Sequence, residues 1–287
     1  MSAYQILTDS GCDLSNEMLA RLGIRAVPLT VNFRGETRAD SVDEGIQEIY
    51  NGLRAGEAAS TSAINPTGWA EAMEPVLAAG EDLLVITFSS GLSTTYQSAV
   101  IAANELKETY PQREILVVDS LCASLGQGLL IWYACQKKNE GMGMAELAKW
   151  LEETRCHLCM WFTVDDLMHL KRGGRVSAAT ALVGTMLNIK PVLHVDDEGH
   201  LINMAKARGR KASIEMLVQQ AAQLGEGYDN STVFICHGDC LEDARYLEKR
   251  MKEVCGVKEV HIGYTGAVIG SHSGPGTLAL FFLGKKR

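Results

Sequence analysis

The side chains best equipped for chemistry crowd into "FSSGLSTTYQS" (residues 88–98), where seven of the ten residues from 89 to 98 carry a hydroxyl. The stretch leaves the apolar run "LLVITF" (83–88). A serine at such a strand exit can be a nucleophile, or the hydroxyls together can hold an anion. The nucleophile elbow G-x-S-x-G needs glycine on both sides of a strained turn. Ser89 has Thr87 where the first glycine should stand. "GSHSG" (270–274) has both glycines but places His272 at the serine position. Neither is an elbow, and the oriented base of a hydrolase is not supplied by sequence order. Capping one helix does not use so many hydroxyls at once, which favours a bound ligand.

Two more strand exits carry hydroxyls, "TDSGCD" (8–13) and "VVDSLCAS" (117–124). Ligands of open α/β sheets gather at the carboxyl ends of strands, and helices starting there offer free N–H groups to an anion. At these two exits capping and ligand binding serve equally well. His272 follows the apolar run "AVIG", read as a strand, and lies between Ser271 and Ser273. Flanking glycines let the backbone approach a ligand closely, so a ligand role and a structural role compete evenly there. The pairs Asp165–Asp166 and Asp196–Asp197 read as solvated, the second as a turn former. "CHLC" (156–159) and "CHGDC" (236–240) have zinc-like spacing, yet Cys159 and Cys236 adjoin apolar runs and read as small interior side chains. No metal is expected. Dinucleotide, Walker A and H-E-x-x-H motifs are missing.

The elements that must present these loops follow from hydrophobic periodicity. In the first half the runs "YQILTDS", "IRAVPLTVNF", "DLLVITF" and "EILVVDS" alternate with helical patterns. Those helices are "LSNEMLARLG", "SVDEGIQEIYNGLRAG" with Ser41 as its N-cap, "NPTGWAEAMEPVLAAG", "TTYQSAVIAANELKETY" and "ASLGQGLLIWYACQKKNEG". Such alternation predicts a parallel sheet covered on both faces. The second half, after the pattern "MAELAKWLEETR", holds "CMWFTV", a hairpin "IKPVLHVDDEGHLINMAKA" turning at "DDEG", helices over 213–224 and 241–254, and the runs "TVFICHG", "EVHIGY", "AVIGSH" and "LALFFLG". The expected fold class is α/β with two domains. Residues 1–157 form an N-terminal three-layer α/β/α parallel sheet carrying the hydroxyl-rich loops. Residues 158–287 form a C-terminal two-layer α/β mixed sheet carrying the GGR segment and the GSHSGPG loop.

A chain of 287 residues exceeds the usual single core. Its net charge of −8 disfavours nucleic acid, whose binding needs clustered Lys and Arg. The opening "MSAYQILTDSG" reads as a strand rather than a signal peptide, and no run approaches the length of a membrane span, so a cytoplasmic location is expected.

Taken together the segments resemble the DegV family, bacterial fatty-acid-binding proteins. The likeness runs through "TDSGCDL", "TSAINP" (61–66), "SSGLSTTYQSA", "LKRGGRVSAATALVGTMLNIKPVL", "KARGRKA" and "GAVIGSHSGPGTLAL". Their order over nearly the whole chain makes it specific. The resemblance implies a long-chain fatty acid buried between two domains, with its carboxylate held by Thr61, Ser62, Ser93, Thr94 and His272. It also implies a separate ATP-binding fatty acid kinase as partner, which makes acyl phosphate for phospholipid synthesis, while the carrier does no bond chemistry and needs no cofactor. Lys171, Arg172 and Arg175 are candidates for contact with that partner or, transiently, with an anionic membrane surface. Two departures stand out: the family usually has glycine where Thr94 stands, and Gln-Pro where Ala63 and Ile64 stand. A β-branched Thr94 is expected to crowd the head group if backbone there meets the carboxylate.

The physics of carriage agrees. Burying roughly 14 methylenes at about 0.8 kcal/mol each contributes about 11 kcal/mol. A bilayer offers the same gain, so head-group bonds of about 1.5–3 kcal/mol each must decide between membrane and carrier. Hydroxyls with one histidine, rather than an arginine clamp, suit a carboxylate that stays reachable. Candidate tail linings are "ALVGTMLNI" (181–189) and "LALFF" (278–282). The competing readings are a serine-dependent acyl hydrolase, a kinase-like subunit binding a small hydroxylated ligand at His272, and a regulatory protein with lipid as its signal.

Overall fold

The structure, a computed structural model, describes residues 4–177 and 188–287. β1 (Tyr4–Asp9), β2 (Arg25–Val27), β6 (Asp82–Thr87) and β7 (Ile115–Asp119) pair in parallel in the order β2-β1-β6-β7. Every residue of β6 is buried, as a strand covered on both faces must be. Its side chains alternate between two cores. Leu83 and Val85 pack with α3 (Pro66–Ala78) and α4 (Thr95–Thr109), while Leu84 and Ile86 pack with α5 (Leu125–Asn139) and α6 (Met144–Thr154). This is the three-layer arrangement that the periodicity predicts. The short α1 (Asn16–Leu22) begins at Ser15, whose hydroxyl accepts the Met18 N–H.

The run 24–33 is not one strand. Pro28 interrupts it, and the chain enters a separate antiparallel sheet, β4-β3-β5, made of β3 (Thr30–Phe33), β4 (Glu36–Ala39) and β5 (Ala59–Ser62). β4 and β5 are short and largely polar, so they carry no apolar alternation to reveal them. α2 (Ile46–Arg54) starts later than expected, because Ser41 Oγ accepts the N–H groups of Asp43 and Glu44 in the preceding turn instead.

The second sheet is mixed, in the order β10-β9-β8-β13-β11-β12. Its strands are β8 (Leu158–Thr163), β9 (Ile189–Val195), β10 (Leu201–Arg208), β11 (Thr232–His237), β12 (Glu259–Tyr264) and β13 (Leu278–Leu283). α7 (Leu167–Arg172) follows β8. α8 (Arg210–Leu224) and α9 (Leu241–Cys255) cover one face through Ile214, Leu217, Leu247 and Met251. Met160, Phe234 and Phe281 on the other face join the core around α5, so one helix serves both sheets. The hairpin β9–β10 turns at "DDEG" as read, with the Asp196 N–H donating to the His200 carbonyl at 2.9 Å.

The structure corrects "AVIGSH": it is not a strand but the helix α10 (Ala267–Ser273). Its β-branched start favours a strand by propensity, but partners distant in sequence receive its first turn and override that preference. Among the described residues no helix is long and apolar enough to cross a membrane.

Candidate functional site

Between the second sheet, α10 and the loops of the first half lies a cavity of about 480 Å³, the size of a small-molecule site. Strand alternation builds its apolar wall. On β8 Met160 and Phe162 face it while Cys159 and Trp161 turn toward α8 and α9; on β13 Ala279 and Phe281 face it while Leu278, Leu280 and Phe282 turn away. Two of the five residues of "LALFF" therefore line the cavity. Of the other lining candidate, residues 181–187 lie outside the described residues. Val195 and Leu201, paired across the end of the hairpin, continue the wall.

Part of the lining is polar. Thr61, Ser62, Ser93, Thr94 and His272 all border this one cavity, although they come from β5, the loop before α4, and α10. Thr61 Oγ1 and His272 Nε2 are 2.7 Å apart. Ser93 Oγ accepts the Thr95 N–H at 3.2 Å and lies 2.8 Å from Thr95 Oγ1. Ser62 and Thr94 are exposed, which puts them at the mouth. Thr94 has φ −78°, open to any residue, so a β-branched side chain introduces no backbone strain there.

Arg175 also lines the cavity, whereas Lys171 and Arg172 sit on α7 away from it. Its guanidinium donates to the Leu92 carbonyl at 3.1 and 3.3 Å and to the Gly173 carbonyl. Among the described residues it meets carbonyl oxygens and no carboxylate, so an arginine expected only as a partner contact borders the cavity beside the hydroxyls and His272. Burial, and then the charge of Arg175, push His272 down to about 4. The ring is therefore neutral at pH 7. An orienting carboxylate, as in a hydrolase triad, would push the other way.

Several of the hydroxyls have other duties. Ser89 is fully buried, donates to the Gly199 carbonyl at 3.0 Å and accepts the Gly91 N–H at 3.2 Å. It fastens the hydroxyl loop to the hairpin turn rather than facing a base. The start of that loop is held by Asp9, whose Oδ2 accepts the Phe88 N–H at 2.7 Å and whose Oδ1 accepts the Gly11 N–H at 3.0 Å. Burial raises Asp9 to about 7. Sequence reasoning singled out neither Asp9 nor the lining residues Ser124, Thr265, Ser273 and Thr277. Asp9 and Ser124 lay in the hydroxyl-bearing strand exits and Ser273 beside His272, so those signals were present. Of the zinc-like cysteine pairs, Cys156 is exposed, Cys159 belongs to the core under α8, and Cys236 lines the cavity.

Known proteins share this architecture. The family model described as "Uncharacterised protein, DegV family" matches residues 3–285. A DegV domain-containing protein of Clostridium perfringens is 45% identical over 286 residues, spanning 99% of this chain and 98% of its own. A DegV family protein from Thermus thermophilus, solved as a fatty acid binder, is 32% identical with a TM-score of 0.88 and coverage of 99% and 100%. A stearic-acid-binding protein from Eubacterium ventriosum is 27% identical with a TM-score of 0.90, covering 98% of each chain.

Proposed function

The chain belongs to the DegV family, and on that premise we propose that it binds a long-chain fatty acid in the cavity between its two halves and presents the carboxylate to a separate fatty acid kinase. The observation that carries this reading is the division of one cavity into an apolar channel and a polar patch. The acyl chain runs along Met160, Phe162, Ala279 and Phe281. The carboxylate lies against Thr61, Ser62, Ser93, Thr94 and His272, with Arg175 as its nearest fixed positive charge. Hydroxyl donors and a guanidinium give charge-assisted bonds at fixed positions, in place of the water and head groups that meet a fatty acid carboxylate at a bilayer surface.

Ser62 and Thr94 at the mouth leave the head group within reach of a partner, as phosphorylation by another protein requires. Lys171 and Arg172 on the nearby α7 are the cations proposed to meet that partner or an anionic membrane surface. The protein itself acts as a carrier, with the fatty acid as its ligand and no cofactor. Native mass spectrometry of the purified protein, followed by organic extraction, tests the reading. One fatty acid per chain is expected; a protein that is empty and fails to take up added fatty acid contradicts it.

A further inference from the structure

His272 reaches the site on a seven-residue helix, too short to hold its own position. What holds it is buried. Asp40 Oδ1 accepts the Val268 N–H in the first turn of α10 at 2.9 Å, and the Ala267 N–H also faces this carboxylate. Asp40 Oδ2 accepts the Ser10 hydroxyl at 2.7 Å, and Ser10 Oγ in turn accepts the Leu29 N–H at 3.0 Å. Beside it Asp13 Oδ2 accepts the Ser124 hydroxyl. The Gly266 N–H faces the Asp13 carboxylate, and Oδ1 lies so close to Gly266 that a Cβ there would collide with it. At the far end of α10 the imidazole is confined between Thr61 and Gly173, where a Cβ would strike Nδ1.

We infer that Asp40, backed by Asp13, is a positioning residue for the head-group site: the two carboxylates dock the first turn of α10 onto the first half of the chain and thereby hold His272 against Thr61. The inference rests on the proposed carboxylate site. An α-helix rises about 1.5 Å per residue, so Val268 and His272 lie about 6 Å apart along one rigid element. A shift of the docked turn therefore moves the ring directly. Hydroxyl caps would satisfy the same N–H groups more cheaply, since buried carboxyls are costly to ionise. Burial raises both acids, and the nearness of Asp40 raises Asp13 further. A carboxylate reaches two partners at once, here Ser10 of the first loop and Val268 of α10, which a single hydroxyl acceptor does not span in the same way.

The test compares palmitate with hexadecanol, which keeps the tail and lacks the carboxylate, on the full chain and its Asp40→Ala and Asp40→Asn variants. The wild type is expected to prefer palmitate. Asp40→Ala should lower palmitate affinity about tenfold, about 1.4 kcal/mol, and change hexadecanol affinity less than twofold. His272 should also titrate upward from about 4 toward its ordinary value of about 6.5 as the ring leaves its confined position, read by NMR of the ring nitrogens. Asp40→Asn keeps the shape and one acceptor oxygen, so it serves if the alanine variant does not fold, with the same selective loss at smaller size. Equal loss of both ligands, or a fall in melting temperature with palmitate preference and the His272 titration unchanged, overturns the inference and leaves Asp40 a structural cap. A wild type that binds both ligands alike overturns the carboxylate reading itself, and this inference with it.

Discussion

At His272, burial and the charge of Arg175 favour the neutral ring, and the consequences for pH have a definite sign. Because the folded value of about 4 lies below the unfolded value of about 6.5, the unfolded state binds more protons between them. The stability contributed by the neutral ring is therefore present above about pH 6.5 and is lost as pH falls toward 4. A carboxylate at the proposed site would do the opposite of Arg175 and raise the ring, so fatty acid binding there would take up protons. Palmitate affinity should rise between pH 7.5 and 5.5, with hexadecanol affinity flat, and His272→Asn should remove the difference. Fluorescence competition at both pH values checks this; an unchanged palmitate affinity contradicts a carboxylate near the ring.

The element on which the site depends most is α10. Gly266 precedes it at φ −60° and ψ 167°, a conformation any residue adopts, so its need for glycine is steric. Gly266→Ala would drive a methyl into Asp13 Oδ1 and should destabilise the fold by about 1–3 kcal/mol, the usual cost of overpacking, read from urea unfolding. A change below about 0.5 kcal/mol would mean that the helix start yields freely. The sequence pattern of this element reads as a strand, because the carboxylates that receive its first turn stand more than two hundred residues away at Asp40 and Asp13. β4 and β5 were hidden for a different reason, their short polar strands having no period to read. The parallel strands were legible because "DLLVITF" and "EILVVDS" are buried on both sides and bounded by polar exits. Thr61, Ser93 and His272 could be named from types and resemblance, but the placement of Arg175 in the cavity wall depends on how α7 ends, at Gly173 and the positive-φ Gly174.

Across the molecule the cavity is closed by contacts between the two halves. Ser89 meets Gly199, Arg54 pairs with Asp239, the Tyr50 hydroxyl donates to the Thr265 carbonyl at 2.8 Å, and Arg287 donates to the Ser120 carbonyl at 3.4 Å. The shared packing of α5 on both sheets adds an apolar seam. On the proposed reading the tail lies along Met160, Phe162, Ala279 and Phe281 and the head where β5, the hydroxyl loop and α10 converge, so the position of the carboxyl carbon is the central claim. Carbon-13 NMR of palmitate labelled at that carbon, bound to the whole protein and to Thr61→Val and His272→Asn variants, measures it most directly. We predict one bound resonance whose ionisation lies below that of free fatty acid, because Arg175 and the hydroxyl donors favour the anion, and whose chemical shift moves in both variants. A bound carboxyl that titrates as in water and ignores both substitutions would contradict the account.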